Sequence, residues 1–359
     1  MNCGLRTADV SENLKHCFAD LSEKPGNFFK LRSAGGKDLQ SIDRAQNIFV
    51  GHAAMSGRFA NPHFKTKGRF PMVKAGASPL VTADWVKDNL NNPNVRIFEV
   101  SVDPDVYKRA HIPGAVNLDW HVDLVDTVNR DIASRDKLQT CLRKAGVTPN
   151  TTIVIYGDHN NWFAAWGAWI LEIYGLGENV RLLDGGRKLW EARALPVTAD
   201  VPSFLETAIA LPARDDRLRA RLVDVLAIAE GRTAGQLIDI RSPDEYSGKI
   251  FAPEGVKELS IRAGHIPGAE NVPWGTIVND DGTFKPVDEI RAIYAAKGVD
   301  GSQPVVTYCR IGERSSHSWF ALKRILGYDV RNYDGSWTEY GNAVGVPVTN
   351  KSGTIWLGK

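Results

Sequence analysis

The sequence predicts an α/β protein of two tandem domains, each a parallel sheet flanked by helices on both faces. Three observations predict this. Short β-rich runs alternate with helical stretches, blocks of sequence recur in one order, and 359 residues exceed one ordinary domain. Strand–helix alternation implies parallel sheets, because parallel neighbours need a crossover, which is usually a helix.

The recurrence is specific. Ala110-His111-Ile112-Pro113-Gly114-Ala115-Val116-Asn117 returns as Gly264-His265-Ile266-Pro267-Gly268-Ala269-Glu270-Asn271. The run 152–156 corresponds to 304–308, and Val180-Arg181-Leu182-Leu183-Asp184-Gly185-Gly186 corresponds to Val330-Arg331-Asn332-Tyr333-Asp334-Gly335-Ser336. The offsets, 264 − 110, 304 − 152 and 330 − 180, are 154, 152 and 150 residues. Three blocks at nearly constant offset indicate a duplication.

Taken in order, the β-rich runs of the first half are 96–100, 152–156 and 180–183; those of the second are 236–240, 304–308 and 329–333. Helical patterns cover 82–90, 135–144, 162–174, 288–297 and 315–326. The Pro- and charge-rich stretch 196–217 marks a linker. The predicted division is therefore an extension at 1–75, a first domain at 76–200, a linker at 201–218 and a second domain at 219–359. The first 71 residues carry 11 Lys/Arg against 6 Asp/Glu with little periodicity, so a poorly ordered extension is expected, with Met72 just before the globular pattern. A transit peptide fits less well, because Asp9, Glu12, Asp20 and Glu23 occur early.

Composition excludes several classes. An apolar fraction of 43% with 24% charged residues is ordinary for a soluble globular protein, and a net charge of +2 implies neither a nucleic-acid nor a membrane partner. The most apolar segment, Trp162 to Ile173, is interrupted by Glu172 and is far shorter than the roughly 20 residues a spanning helix needs. The four cysteines, Cys3, Cys17, Cys141 and Cys309, form no C-x-x-C pair. That spacing suggests neither a disulfide framework nor a zinc site, no metal or other cofactor is expected, and a reducing, cytoplasmic setting is.

Chemistry concentrates at Cys309. It follows the run 304–308 and precedes Arg310-Ile311-Gly312-Glu313-Arg314, after which Ser315-Ser316 open a helical stretch. Sites in open parallel sheets form beyond the carboxyl ends of strands. Turn and helix-start N–H groups with two guanidinium groups favour thiolate, the reactive form of cysteine.

These blocks together resemble the two-domain rhodanese family, in its bacterial-type thiosulfate sulfurtransferase branch. The His-Ile-Pro-Gly-Ala block is similar to its N-terminal motif, Tyr333-Asp334-Gly335-Ser336-Trp337-Thr338-Glu339-Tyr340 to its C-terminal one, and 309–316 to its active loop. The likeness runs from about Ser78 to about Val348. The resemblance implies two α/β domains of which only the second keeps the cysteine. The position paired with Cys309 is Gly157, so the first half is expected to be catalytically silent, with Asn161 and Trp162 as candidates for a cleft wall.

The implied reaction is double displacement. Cys309 takes the outer sulfur of thiosulfate as a persulfide, releases sulfite, and passes the sulfur to cyanide, a small thiol or a protein acceptor. Residues 310–315 and the pair 161–162 are the expected substrate-binding set. Arg310 and Arg314 suit an oxyanion, because a planar fork matches it better than a point charge; a structural ion pair is the other reading for either. Glu313 reads as a loop or solvent-facing ion pair, Gly312 as a conformational requirement, and Ser315 and Ser316 as helix caps. The mercaptopyruvate-using branch of the family typically has a small uncharged residue where Arg310 stands, so thiosulfate is the favoured donor.

Two other readings stay open. Cysteine phosphatases and arsenate reductases also hold an oxyanion in a cysteine loop, but commonly space cysteine and arginine by about five residues; here four separate Cys309 from Arg314. A non-enzymatic sulfur carrier or redox sensor would use the same persulfide. Elsewhere, His111 and His265 read as structural hydrogen-bonding residues, Asp239 with Arg241 as a strand-end brace, and Cys141 as a small hydrophobe. His317 would have to fold back to form a dyad with Cys309, which its place in the helix disfavours. Arg262 is a candidate to reach the cleft.

Overall fold

The computed structural model describes residues 78–257 and 259–354. The expectations for residues 1–75, with Cys3, Cys17 and Met72, lie outside the described residues.

The first half runs β1 (Leu80–Val81), α1 (Ala83–Asp88), β2 (Val95–Glu99), α2 (Asp105–Arg109), β3 (Ala115–Asn117), β4 (Val125–Asp126), β5 (Asp131–Ile132), α3 (Arg135–Lys144), β6 (Thr152–Tyr156), α4 (Trp162–Ile173), β7 (Val180–Leu183) and α5 (Gly186–Ala192). The second runs α6 (Leu222–Ala229), β8 (Gln236–Asp239), α7 (Pro243–Ser247), β9 (Glu270–Asn271), α8 (Val287–Ala295), β10 (Val305–Tyr308), α9 (Glu313–Trp319), β11 (Val330–Asn332) and α10 (Ser336–Tyr340).

The first sheet has the order β1-β7-β6-β2-β3 and the second β11-β10-β8-β9, and every pair in both is parallel. The place that β1 fills beside β7 is taken beside β11 by the end of the linker, where Arg219 bridges Asn332 in parallel and the Ala220 N–H donates to the Asn332 carbonyl at 3.0 Å. Antiparallel β4 and β5 stand apart from both sheets.

Side-chain alternation explains why the strands are apolar runs. On the first sheet Phe98, Ile153, Ile155 and Leu182 face one core, while Ile97, Val154, Tyr156 and Leu183 face another. Helix α4 covers the first face; Val86 of α1, Tyr107 of α2 and Trp190 of α5 cover the second. The second sheet repeats this, with Trp319 of α9 and Tyr294 of α8 on one side and Val225 of α6 and Trp337 of α10 on the other. The cluster around α4 is continuous with that around α9. Helix α4 therefore supplies core to both halves, which is why it is apolar on nearly all sides. Across the same junction the Trp162 and Trp274 rings meet edge to face at 4.7 Å, and Arg324 pairs with Glu172 at 2.8 Å.

The duplication extends below the sequence blocks. His111 bridges Thr198 and His265 bridges Thr349, each antiparallel, so each His-Ile-Pro-Gly block clasps the tail of its own half. His111 Nδ1 lies 2.9 Å from the Tyr107 carbonyl and His265 Nδ1 2.6 Å from that of Tyr246, each ring stacked on the same tyrosine. Both histidines are structural, as the sequence suggests. Each half also buries an acid at the end of an equivalent strand, Glu99 of β2 or Asp239 of β8, with different arginine partners. Glu99 takes Arg187 at 2.8 Å, from the start of α5; Asp239 takes Arg241 at 2.6 Å, two residues along the chain.

Two expectations need correction. The helix expected over 315–326 begins earlier, at Glu313, and after Trp319 continues as a π-helical segment, Phe320–Ile325. Ser315 and Ser316 thus lie inside its first turn and cap nothing. Arg262 does not reach the cleft; its guanidinium donates to the carbonyls of Tyr340, Gly341, Ala343 and Val346 and anchors the chain after α10.

Candidate active site

Strand β10 ends at Tyr308, and Cys309 begins a tight loop that re-enters helix at Glu313. Gly312 makes the loop possible. Its φ is +104°, which side chains rarely adopt, and a Cβ there would lie 2.4 Å from both the Cα and the carbonyl oxygen of Asp334. The turn brings the Gly312 N–H to the Cys309 sulfur at 3.1 Å, a donor pointed where negative charge on sulfur is stabilised. Cys309 is fully buried.

The chain after β11 clamps this loop. The Cys309 N–H donates to the Ser336 hydroxyl at 3.1 Å, and that hydroxyl donates to the Tyr333 carbonyl at 2.7 Å. The Trp337 N–H donates to the Cys309 carbonyl at 3.0 Å, and Thr338 donates to the Arg310 carbonyl from both N–H and hydroxyl, each at 2.8 Å. On the inner side, the Gly312 carbonyl accepts from Asn332 Nδ2 at 3.0 Å and from Ser316 at 3.2 Å. The Ser315 hydroxyl lies 2.8 Å from that carbonyl and 2.6 Å from Asn332 Oδ1. Here the two serines bind the turn from below, so the buried Gly312 carbonyl is satisfied.

The remaining loop residues divide by direction. Arg310 is half-exposed and donates to the Lys257 carbonyl at 3.1 Å. Arg314 turns the other way: it lies 3.6 Å from the buried Glu245 carboxylate and 5.6 Å above the Trp162 ring. It thereby ties the cysteine loop to α7 and to the first half, the structural alternative considered for it. Glu313 is buried rather than solvent-facing, has no ion pair among the described residues, and its Oε2 lacks a hydrogen-bond partner. Burial, with Asp334 adding, lifts its carboxyl to about 8 against the opposing pull of Arg130 and Arg310.

Of the first-half candidates, Trp162 reaches the loop through Arg314, whereas Asn161 braces its own loop. Asn161 Oδ1 accepts the Gly157 N–H at 2.9 Å and its amide donates to the Leu183 carbonyl at 2.7 Å. A cavity of about 280 Å³ lies against Ile311, Glu313 and Asp334 and is walled from the first half by Trp120, Arg130, Asp131 and Trp166. Asp131 and Asp334 are held together by Arg219, which donates to both. His317 is buried with both ring nitrogens lacking hydrogen-bond partners, stacked on Phe284 at 4.6 Å; burial holds it down at about 3. Cys141 is half-buried with its thiol near Asp123 and pushed up to about 11 by burial and that carboxylate.

Sequence reasoning missed Asn332, Ser336, Thr338 and Arg130. Three of these lie in or just after the repeated block 330–336, and their signal was available: Ser336 stands where the first half has Gly186.

The fold and the single cysteine loop define a member of the rhodanese-like proteins. The chain matches the Rhodanese-like domain twice, over residues 82–193 and 224–343, and belongs to that family. A Mycobacterium bovis protein named "Putative thiosulfate sulfurtransferase 1" is 48% identical over 271 residues, covering 75% of this chain and 96% of that protein. Sulfur carrier protein TtuD of Thermus thermophilus is 47% identical over 275 residues, covering 75% and 95%. Among solved structures, SseA from Escherichia coli, described under 3-mercaptopyruvate sulfotransferases, superposes with a TM-score of 0.62 at 27% identity, covering 73% of this chain and 99% of that one.

Proposed function

We propose that this protein is a thiosulfate sulfurtransferase working through a Cys309 persulfide. Cys309 attacks the outer sulfur of thiosulfate, the S–S bond of the donor breaks, and sulfite leaves with the bonding pair. Cyanide or a thiol then removes the sulfane sulfur and regenerates Cys309. The observation that carries this reading is the Gly312 N–H set on the Cys309 sulfur within a loop clamped by hydrogen bonds from Ser336, Trp337 and Thr338. Arg310, the loop arginine on the open side, is assigned to the donor's sulfonate, which favours thiosulfate over a keto acid. Residues 311–313 and 315 shape the loop, Arg314 and Trp162 fix it against the first half, and Asn161 supports that half's loop. The proposed domain division is that predicted above, with the linker at 201–218, and the proposed setting is a reducing cytoplasm.

The likeness to TtuD favours a second reading, in which the same persulfide is delivered to a partner protein. One experiment separates them. Incubation with thiosulfate should add one sulfur to the intact mass, absent in Cys309→Ser. Multiple turnovers with cyanide or a small thiol support the enzyme; transfer to a protein acceptor alone supports the carrier. Sulfur uptake that persists in Cys309→Ser rejects both.

A further inference from the structure

The cavity beside the cysteine loop has an uneven character. Trp120, Trp166 and Ile311 give it apolar walls, and its charged members are mostly committed. Asp131 and Asp334 are bound by Arg219, and Asp131 also by Arg214 at 3.0 Å. Two groups remain. Arg130, exposed at the rim, has no ion pair among the described residues; Glu313 presents a buried, unpartnered carboxyl oxygen. Apolar walls suit a compact dianion poorly but suit an organic molecule with an apolar body.

We propose that this cavity is the acceptor site, that it takes an organic thiol carrying an anionic group held by Arg130, and that Glu313 removes the thiol's proton as the thiol attacks. This rests on the sulfurtransferase reading above. The thiol's S–H bond breaks and its proton passes to the Glu313 carboxylate. Its sulfur bonds to the outer sulfur of the Cys309 persulfide, and the bond from that atom to the Cys309 sulfur breaks, leaving the pair on Cys309. One persulfide and one thiol become one cysteine thiolate and one new persulfide, with no outside oxidant. An ordinary carboxylate is too weak a base for an alkyl thiol. Glu313 is set apart by burial and by the neighbouring Asp334, with Arg130 and Arg310 opposing; Asp131 and Asp126 line the same cavity. A base matched to the thiol makes the transfer efficient.

The test preloads wild type and Glu313→Gln with sulfur from thiosulfate and follows a single transfer to 3-mercaptopropionate, protonated at neutral pH, or to 4-mercaptobenzoate, already ionised. At pH 7.5 Glu313→Gln should slow transfer to the first thiol at least about tenfold more than to the second. The wild-type rate with the first thiol should rise along a limb near pH 8. Arg130→Gln should raise the concentration needed of both thiols. Equal slowing of both by Glu313→Gln overturns the proposal. So does a wild-type limb that follows the thiol's own ionisation, which needs no variant to fold. Failure of wild type to take up sulfur at all overturns the underlying sulfurtransferase reading instead, and is seen before any thiol is added.

Discussion

A β-carbon on Gly157 would lie 2.2 Å from the carbonyl oxygen of Val100. The approach is fixed by the sheet, since the Val100 N–H donates to the neighbouring Tyr156 carbonyl at 2.8 Å. The position paired with Cys309 therefore carries no side chain and also lacks room for one. Gly157→Cys is expected to cost about 1–3 kcal/mol of stability, the range for overpacking, and to load no second sulfur. Denaturant unfolding and intact mass after thiosulfate treatment read the two effects; a second added sulfur would show that the first-half loop can carry sulfur.

Gly312 is constrained twice, by its positive φ and by contact with Asp334. Gly312→Ala should lower sulfur loading at least about tenfold by displacing the N–H aimed at sulfur, in line with the loss of one oriented donor. The measurement is the rate of sulfite release in a single turnover.

Ser336→Ala removes the acceptor of the Cys309 N–H in a fully buried site. Leaving that donor unsatisfied should cost about 1–3 kcal/mol, and loading should slow while the thiosulfate concentration for half-maximal rate changes less. Unfolding and loading kinetics on the same preparation check this.

The two loop arginines should separate in their effects. Arg310→Gly is expected to weaken use of thiosulfate more than use of 3-mercaptopyruvate. Arg314→Gln, which removes the ion pair of the buried Glu245, should lower stability and change donor preference little. Equal loss for both donors in Arg310→Gly would remove its role in selectivity.

Two buried groups give the stability curve opposite slopes. His317 is held from 6.5 down to about 3, so its contribution is present above pH 6.5 and is lost as pH falls toward 3. Glu313 is lifted from 4.5 to about 8, so its contribution is present below pH 4.5 and is lost as pH rises through 8. His317→Phe should flatten the acid side and Glu313→Gln the alkaline side, in urea unfolding at stepped pH.

The strands 152–156 and 180–183 and the helix 135–144 were legible because apolar runs and periodicity are local properties. The two-residue strands β1, β4, β5 and β9 were not, since each exists through its partner. Cys309 was legible from its strand–loop–helix setting. Burial of Glu313 was not: a charged residue in a turn reads as solvated, and only the arrival of Asp334 and the first half encloses it. Arg262 failed for the same reason, because the carbonyls it binds come from a segment roughly 80 residues away in sequence.

The two halves balance the same buried acid from different places in the chain. In the first, Arg187 reaches Glu99 across 88 residues, so the segment after β7 is needed to hold the domain's charge. In the second, Arg241 does this two residues from Asp239, and Trp337, which stands where Arg187 does, lies under its guanidinium at 4.7 Å. A locally supplied cation relieved the segment after β11 of that duty. Its Ser336 and Trp337 grip Cys309 instead, so the copies differ in which half could release a segment to hold a reactive atom.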